Sequence, residues 1–395
     1  MKKNRPPQDD KSGGFNIASA DDILSGKTTD VYFVRTQEIL KKQKIRKRVK
    51  AEFSAKNLQY PWGVFCGLDE IINLLKYLPV KMKGLPEGTI FRKDDPVLTI
   101  EGNYLDFGLY ETAILGLICQ ASGIATKSAR LRLLAKNKSI LSFGARRMHP
   151  ALSPMIERSA YIGGCDGVSV IKSAEILGIP PSGTMPHAFI LLVGDEEKAY
   201  RLFHKFAPRE IPRVALIDTF SDEKFGALKA VESLKKHLYA VRLDTPFSRK
   251  GDWGEIIEEV RWELKLRHFS GVKIFVSGGI DEKDVSALAD HVDGFGIGTS
   301  ISNAPVINFS MDIVEIDGKP IAKRGKSSGE KRVVRCPLCF NSWIQSTHEK
   351  RSKCPSCPSY KEPMIVLTQL IPKTFCQSIQ EIRESVLSQL KHIVV

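Results

Sequence analysis

Residues 271–300, GVKIFVSGGIDEKDVSALADHVDGFGIGTS, decide the fold. A short apolar, β-branched segment runs into Ser277, Gly278 and Gly279; a stretch with helical apolar spacing follows, and a second apolar segment runs into Gly294–Ser300. This is the βα repeat of a barrel, read from a hydrophobic period that switches between strand and helix. Upstream, RVALID and LYAVRLD read as further buried parallel strands. Five more polar or glycine-rich clusters precede this pair: SFGARR (Ser142 to Arg147), GGCDG (Gly163 to Gly167), GTMPH (Gly183 to His187), IDTF (Ile217 to Phe220) and VRLD (Val241 to Asp244). Each is expected just after a strand. Loops at the carboxyl ends of barrel strands build the active site, so seven clusters in register predict one pocket.

The chain has 395 residues and a formal net charge of +14. That length allows two or three domains and an ample core, and no tract is of low complexity. The stretch TAILGLICQASGIA is too short and polar-flanked to be expected to span a bilayer, and MKKNRPPQDDKSGG has charge without an apolar segment behind it. A cytoplasmic protein is expected. The positive charge favours anionic partners, whether nucleic acid, acidic lipid or phosphorylated small molecules in a basic cleft.

The cysteines divide into two populations. Cys66, Cys119, Cys165 and Cys376 are scattered in apolar surroundings and read as small buried residues. Cys336 and Cys339 form CPLC, and fourteen residues later Cys354 and Cys357 form CPSC. Two such knuckles supply four thiolates for a tetrahedral zinc, and four protein ligands leave no open position, so the expected zinc is structural. His348 is surplus to that set. KRVVRC and HEKRSK flank the knuckles with charge; a metal-stabilised module with a solvated charged face is preferred over a nucleic-acid reader.

Elsewhere, Met1 to about Gly26 is a polar lead-in, followed by a basic stretch, Lys41 to Lys50. Ile45, Val49 and Phe53 recur there at helical spacing, although RVKAEF reads equally as a strand. GLDEIINLLKYL is an amphipathic helix, LPEGTIFRKDDPVLTIEG a pair of strands, and DIVEIDGKPIAKR a hairpin around an Asp-Gly turn. A linker, GKSSGEK, leads to the cysteine module, and a terminal helix carries Ile379, Ile382, Val386, Leu390 and Ile393 on one face.

The clusters carry recognisable chemistry. Ser277, Gly278, Gly279, Gly296, Gly298 and Thr299 lie on two late strand ends, where backbone amides can cradle a phosphate. Asp166, Asp218 and Asp244, expected at three different strand ends, suit magnesium or ribose hydroxyls, or cap helices. Arg146 and Arg147 offer forks for a carboxylate or pyrophosphate, or form a surface turn. His187 reads equally as a packed, capping or catalytic histidine.

Together TTDVYF (Thr28 to Phe33), LPEGT, ETAILG, SFGARR, GTMPHAF, IDTF, VRLD, GFGIGT and VEIDGKPIAK make the chain resemble nicotinate phosphoribosyltransferase, a type II phosphoribosyltransferase, from about Thr28 to Lys323. The resemblance implies an α/β fold: an α/β sandwich over residues 1–122 completed by the 307–331 hairpin, and an incomplete α/β barrel over 123–306. The cysteine module and terminal helix, 332–395, lie beyond that core. It implies transfer of phosphoribosyl from phosphoribosyl pyrophosphate to nicotinate, with Mg2+, and with ATP hydrolysis coupled in most members. It also implies roles. Tyr32 and Phe143 sandwich the pyridine ring, Arg146, Arg147 and Thr184 meet substrate, and Asp166 faces the ring. Asp218, Arg242 and Asp244 hold ribose, pyrophosphate or metal, the Ser277–Gly279 and Gly296–Thr299 clusters take the 5′-phosphate, and His187 accepts a phosphoryl group. A homodimer or larger homo-oligomer with shared sites is implied, Tyr32 crossing to the neighbouring subunit. One departure is the replacement of the family's RLDSGD by RLDTPFSRKGD. Quinolinate or nicotinamide phosphoribosyl transfer is the alternative within the fold. A zinc-ribbon nucleic-acid-binding protein is the alternative outside it, and it leaves the barrel clusters unexplained.

Overall fold

The computed structural model describes residues 14–249, 251–349, 353–357, 364–374 and 377–393. Cys376 and the start of the polar lead-in lie outside them. The chain forms two units, one drawn from Met1–Gly123 and Pro305–His392, the other from Ile124–Ala304.

The first unit is built on a six-stranded antiparallel sheet in the order Lys319–Pro320, Phe309–Ile316, Arg48–Ala55, Leu98–Asn103, Lys81–Gly84, Gln369–Ile371. The ambiguous basic stretch resolves as a strand because Val49, Ala51, Phe53 and Ala55 all turn into the core, a period of two that outcompetes the helical spacing. The hairpin that pairs with it turns at Asp317 and Gly318, both with positive φ (49° and 79°), as a two-residue primed turn requires. The helix Leu68–Leu75 buries Leu68, Ile71 and Leu75 in the same core.

The cysteine segment contributes a three-stranded sheet, Ser342–Ser346, Lys331–Arg335 and Ile365–Val366. Arg335 fastens it to the rest of the unit. Its guanidinium donates to Ser342 Oγ (2.9 Å), to Gln389 Oε1 (3.0 Å) on the helix Ile379–Leu390 and to the Ile90 carbonyl, and lies over the Phe340 ring at 4.3 Å. Phe340 in turn stacks on His392. Burial pulls the Arg335 pKa down to about 10, with Asp95 opposing that shift. Asp95 itself is pushed up to about 6 by burial. The terminal helix turns Ile382, Val386 and Leu390 inward as its spacing predicts.

The second unit is a curled, open half-barrel of six parallel strands in the order Gly167–Val168, Ser139–Ser142, Gly294–Ile297, Lys273–Ser277, Leu238–Leu243, Arg213–Leu216. Arg213–Leu216 and Gly294–Ile297 are buried throughout, the signature of strands covered on both faces. Asp222, Asp252 and Asp281 each cap the helix that follows a strand. Asp252 is the last residue of RLDTPFSRKGD, so the longer loop still delivers a cap to the helix Trp253–Leu266.

Two expectations about the clusters are corrected. GGCDG precedes its strand, Gly167–Val168, instead of following one, and GTMPH follows no strand at all. The sheet is open between Gly167–Val168 and Arg213–Leu216, and residues 179–186 fill that part of the chain as irregular backbone, with the Ser182 amide bonded to the Val168 carbonyl. By length and composition the helical stretch Tyr104–Ala135 could cross a membrane. Its apolar residues are committed to the two cores, Ile114 and Ile118 to one and Ile124 and Leu131 to the other.

Substituting Arg335→Met removes three hydrogen bonds from a buried cation, a loss of about 2 kcal/mol or more. Hydrogen exchange at Ile90–Phe91 and Lys331–Arg335 should then accelerate at least tenfold, while the parallel sheet keeps its protection. Equal acceleration in both sheets would mean that Arg335 does not act locally.

Candidate active site

The carboxyl ends of the parallel strands surround a cavity of about 900 Å³. Its lining includes Phe143, Arg146, Arg147, Thr184, His187, Arg242, Asp244, Ser277, Gly278, Gly279, Gly296, Gly298 and Thr299. Five of the seven predicted clusters therefore meet here, while GGCDG and IDTF contribute no lining residue. Strand Gly294–Ile297 pairs with Ser139–Ser142 on one side and Lys273–Ser277 on the other, which sets the 143–147 loop beside both glycine clusters.

Two glycines are required by close approach. A Cβ on Gly296 would stand 2.4 Å from the Phe143 ring, so only hydrogen there lets the ring lie against the strand. At Gly278 the backbone is left-handed (φ 90°) and a Cβ would stand 2.8 Å from Asp244 Oδ1. Phe143 borders the cavity, and Arg146 and Arg147 stand exposed on the short 3-10 turn Ala145–Arg147 beside it. Among the described residues neither guanidinium has a side-chain or backbone partner. Free forks at a pocket mouth are an anion site in waiting.

A polar chain crosses the pocket floor. Thr219 Oγ1 is 3.0 Å from His187 Nδ1, His187 Nε2 is 3.5 Å from Asp244 Oδ2, and Ser277 Oγ donates to Asp244 Oδ1 at 3.0 Å. Because the Ser277 hydroxyl is engaged, an anion at this edge is left with the backbone amides. Behind this chain Asp218 Oδ2 accepts the Asp244 amide at 2.6 Å, while its Oδ1 is buried with no partner among the described residues. Burial, helped by the charge of Asp244, pushes the Asp218 pKa to about 6. Arg242 donates to the Met185 carbonyl (3.2 Å), its Nε is buried and unpartnered, and burial pulls its pKa down against the attraction of Asp244 and Asp218. Buried polar atoms left without partners beside a cavity mark a place built for a ligand.

Asp166 is a correction. It stands before its strand, at the opposite end of the sheet from the cavity; its carboxylate accepts from Arg132 (2.5 Å) and from the Ile140 amide (2.9 Å). This is a structural ion pair, not a group facing a ring. Tyr32 lies in the first turn of the helix Val31–Lys42, 56% exposed, and is not among the residues lining this cavity. Thr184 lines it with only a weak 3.4 Å contact to the Met185 carbonyl.

Two buried carboxylates escape sequence reading. Glu157 accepts from the Ser169 amide and hydroxyl and the Val170 amide, fixing two residues that line the cavity. Glu196 holds the segment after Asp218. Each lies on a helix whose local pattern gives no sign that its partners come from a distant loop.

In the first unit the sulfur atoms of Cys336, Cys339, Cys354 and Cys357 all lie within 4.8 Å of one another. Four thiolates 2.3 Å from a common tetrahedral ion have separations near 4 Å, so the cluster can hold a metal ion.

The quinolinate phosphoribosyl transferase N-terminal domain matches residues 30–122 and the corresponding C-terminal domain matches residues 124–312. A nicotinate phosphoribosyltransferase of Mycobacterium tuberculosis (pncB2) is 30% identical over 303 residues, covering 72% of this chain and 63% of that protein. The Bacillus subtilis nicotinate phosphoribosyltransferase is 28% identical over 264 residues, covering 63% and 52%. The chain thus spans less than two thirds of the length of the curated relatives it matches. A crystal structure of nicotinate-nucleotide pyrophosphorylase from Pyrococcus furiosus is 50% identical, covers 96% of this chain and 98% of that one, and superposes with a TM-score of 0.93. Human nicotinic acid phosphoribosyltransferase, at 19% identity and covering 93% and 94%, shares the fold with a TM-score of 0.71.

The raised pKa of Asp218 has a sign that can be tested. A carboxyl whose folded pKa of about 6 exceeds its ordinary 3.8 contributes stability below 3.8 and loses it as pH rises through 6. Asp218→Asn should therefore melt about 2–4 °C above the unsubstituted protein at pH 7.5 in chelator. The gap should narrow as pH falls through 6 and close only below about 3.8. A gap independent of pH would place the ionised carboxylate in a solvated setting.

Proposed function

The chain belongs to the quinolinate phosphoribosyl transferase family, and on that premise we propose that it joins nicotinate to phosphoribosyl pyrophosphate, giving nicotinate mononucleotide and pyrophosphate in NAD biosynthesis. The observation that carries this reading is the pair of unpartnered guanidiniums, Arg146 and Arg147, beside Phe143 at a glycine-edged pocket. One ring carboxylate meets that pair, and Phe143 stacks on the pyridine. The curated relatives' names support nicotinate. The pyrophosphorylase name of the archaeal structure describes the same N-glycosidic bond from the product side.

A weakly nucleophilic ring nitrogen calls for a dissociative transition state, in which positioning and electrostatic stabilisation do most of the catalysis. Amides of Gly278, Gly279, Gly296, Gly298 and Thr299 hold the 5′-phosphate. Asp244 and Asp218 orient the ribose hydroxyls, and Arg242 meets the leaving pyrophosphate. The unpartnered Oδ1 of Asp218 would hold Mg2+ through water and substrate oxygens, and the charge such an ion supplies would favour the leaving pyrophosphate. His187 is the phosphoryl acceptor if ATP is coupled: Asp244 takes the Nε2 proton, and the freed lone pair bonds to the γ-phosphorus as the bond to the departing ADP oxygen breaks. The exposed Tyr32 is available to close the base pocket of a second subunit in a homo-oligomer. Cys336, Cys339, Cys354 and Cys357 hold structural Zn2+.

Quinolinate is the second reading, favoured by the description of the family models. Its additional carboxylate requires further cations, and the basic residues lining the cavity are Arg146, Arg147, Arg242 and His187. One assay separates the readings: purified protein, magnesium and phosphoribosyl pyrophosphate offered nicotinate, nicotinamide and quinolinate separately. Nicotinate alone should be turned over efficiently, and Arg146→Ala should lower kcat/KM for it at least about tenfold, as expected for a charge-assisted contact. Equal or better turnover of quinolinate would overturn the assignment.

Elemental analysis should give about one zinc per chain. Cys336→Ser should lose it and open the segment between Arg332 and Cys357 to limited proteolysis, since structural zinc supplies folding free energy to such units. Zinc lost without a change in cleavage would leave the metal without that role.

A further inference from the structure

The residue that sets the reactive histidine lies outside the cavity. Glu196 is the first residue of the helix Glu196–Phe206, only 2% exposed, and it is not part of the pocket lining. Its Oε1 accepts the amides of Phe220 (2.9 Å) and Ser221 (3.2 Å), and its Oε2 accepts from the Ser221 hydroxyl (2.7 Å) and the Lys229 ammonium (2.8 Å). Lys229, on the helix Glu223–Leu234, also donates to Ser221 Oγ at 2.6 Å. The carboxylate is therefore tied to both sides of the loop that follows Asp218. Burial raises its pKa, but the Lys229 ammonium and the loop donors outweigh that and hold it below the usual range. A buried charge with this many bonds fixes what it touches, and what it touches is the backbone immediately after Thr219.

Thr219 is the only side chain within hydrogen-bond distance of His187 Nδ1 among the described contacts, at 3.0 Å. His187 opens the helix His187–Val193, and Gly194 (φ 79°) with the capping residue Asp195 joins that helix directly to Glu196. Glu196 thus connects the element carrying the histidine to the loop carrying its hydroxyl partner. Nε2, 3.5 Å from Asp244 Oδ2, faces a carboxylate that can only accept, so the neutral ring keeps its proton on Nε2 and Nδ1 accepts from the Thr219 hydroxyl.

We propose that Glu196, with Lys229, is a positioning residue: it locks the 219–221 loop so that the Thr219 hydroxyl donates to Nδ1 of His187 and the ring holds Nε2–H toward Asp244, which takes that proton when Nε2 meets the phosphoryl group. The catalytic consequence rests on the function proposed above; the tautomer does not. Loss of the Glu196 charge frees the loop, Thr219 moves away, and the two neutral tautomers become comparably populated. Misplacement of a reacting group by about 1 Å can cost on the order of a hundredfold in rate.

The test uses full-length protein labelled with 15N only in histidine, with His187 assigned by its loss in His187→Gln. In the unsubstituted protein at pH 8 the His187 signals should report an Nε2-protonated ring. Glu196→Gln, Lys229→Met and Thr219→Val should each shift them toward a mixture of tautomers, and Thr219→Ser should restore the native pattern. In parallel, Glu196→Gln should lower kcat for ATP-dependent nicotinate turnover about tenfold or more, with KM for nicotinate changed less than about twofold. An Nδ1-protonated ring in the unsubstituted protein, or a native tautomer in both Glu196→Gln and Lys229→Met, overturns the proposal. If Glu196→Gln does not fold, Lys229→Met and Thr219→Val decide alone. Absence of nicotinate turnover in the unsubstituted protein would sink the functional reading and leave the spectra to judge the positioning.

Discussion

The second unit depends on one pairing: its first strand in chain order, Ser139–Ser142, is hydrogen-bonded in parallel to its last, Gly294–Ile297. Parallel neighbours point their carboxyl ends the same way, so this single ladder brings residues 143–147 alongside the two glycine clusters that close the unit more than a hundred residues later. The approach is tight enough that Gly296 has no room for a side chain under Phe143. The rest of the pocket lining uses this arrangement, because Arg242 and Ser277 lie on the strands that continue the same sheet outward and Asp244 directly follows one of them. The sheet remains open at its other edges, and the irregular 179–186 segment ahead of His187 belongs to that opening.

Charge is distributed in this unit against local stability. Asp218 keeps a desolvated oxygen without a partner, and Arg242 keeps a desolvated nitrogen. Both carry a burial cost that a ligand offering a cation or donor to Asp218 and an acceptor to Arg242 would relieve. Glu196 and Glu157 are the opposite case: equally secluded, they are saturated with donors from the loops they hold. The contrast separates groups kept available for a ligand from groups spent on architecture. Asp166, an acidic residue in a glycine-rich cluster, belongs with the second kind through its bonds to Arg132 and Ile140.

The first unit uses a similar device at its cysteine segment. A short three-stranded sheet has too little apolar area to hold itself, and its core is Val334, Met364 and the cysteines. Arg335 supplies cross-links to Ile90 and Gln389, while the cysteine cluster can add a metal ion. The terminal helix completes this arrangement by accepting the Ile90 amide at Gln389 Oε1.

Much of this was legible in the sequence where the signal is local. Buried β-branched runs ending in glycine or aspartate pointed to the parallel strands, the Asp-Gly pair to the hairpin, the spacing of Ile382, Val386 and Leu390 to the terminal helix, and two CxxC pairs to the sulfur cluster. Those features depend on the hydrophobic period or on backbone geometry within a few residues, which composition writes directly into the chain. Tertiary structure decided the rest: that Asp166 enters a strand while Asp218 and Asp244 leave theirs, that Val49 and Phe53 belong to a strand, and that His187 finds Thr219. It also decided the partners of Glu196 and Arg335, among them Phe220, 24 positions from Glu196, and Gln389 and Ile90, 54 and 245 positions from Arg335. A hydrogen bond between such groups exists only after separate elements have packed, so no local pattern encodes it, although every residue that makes it is present in the chain.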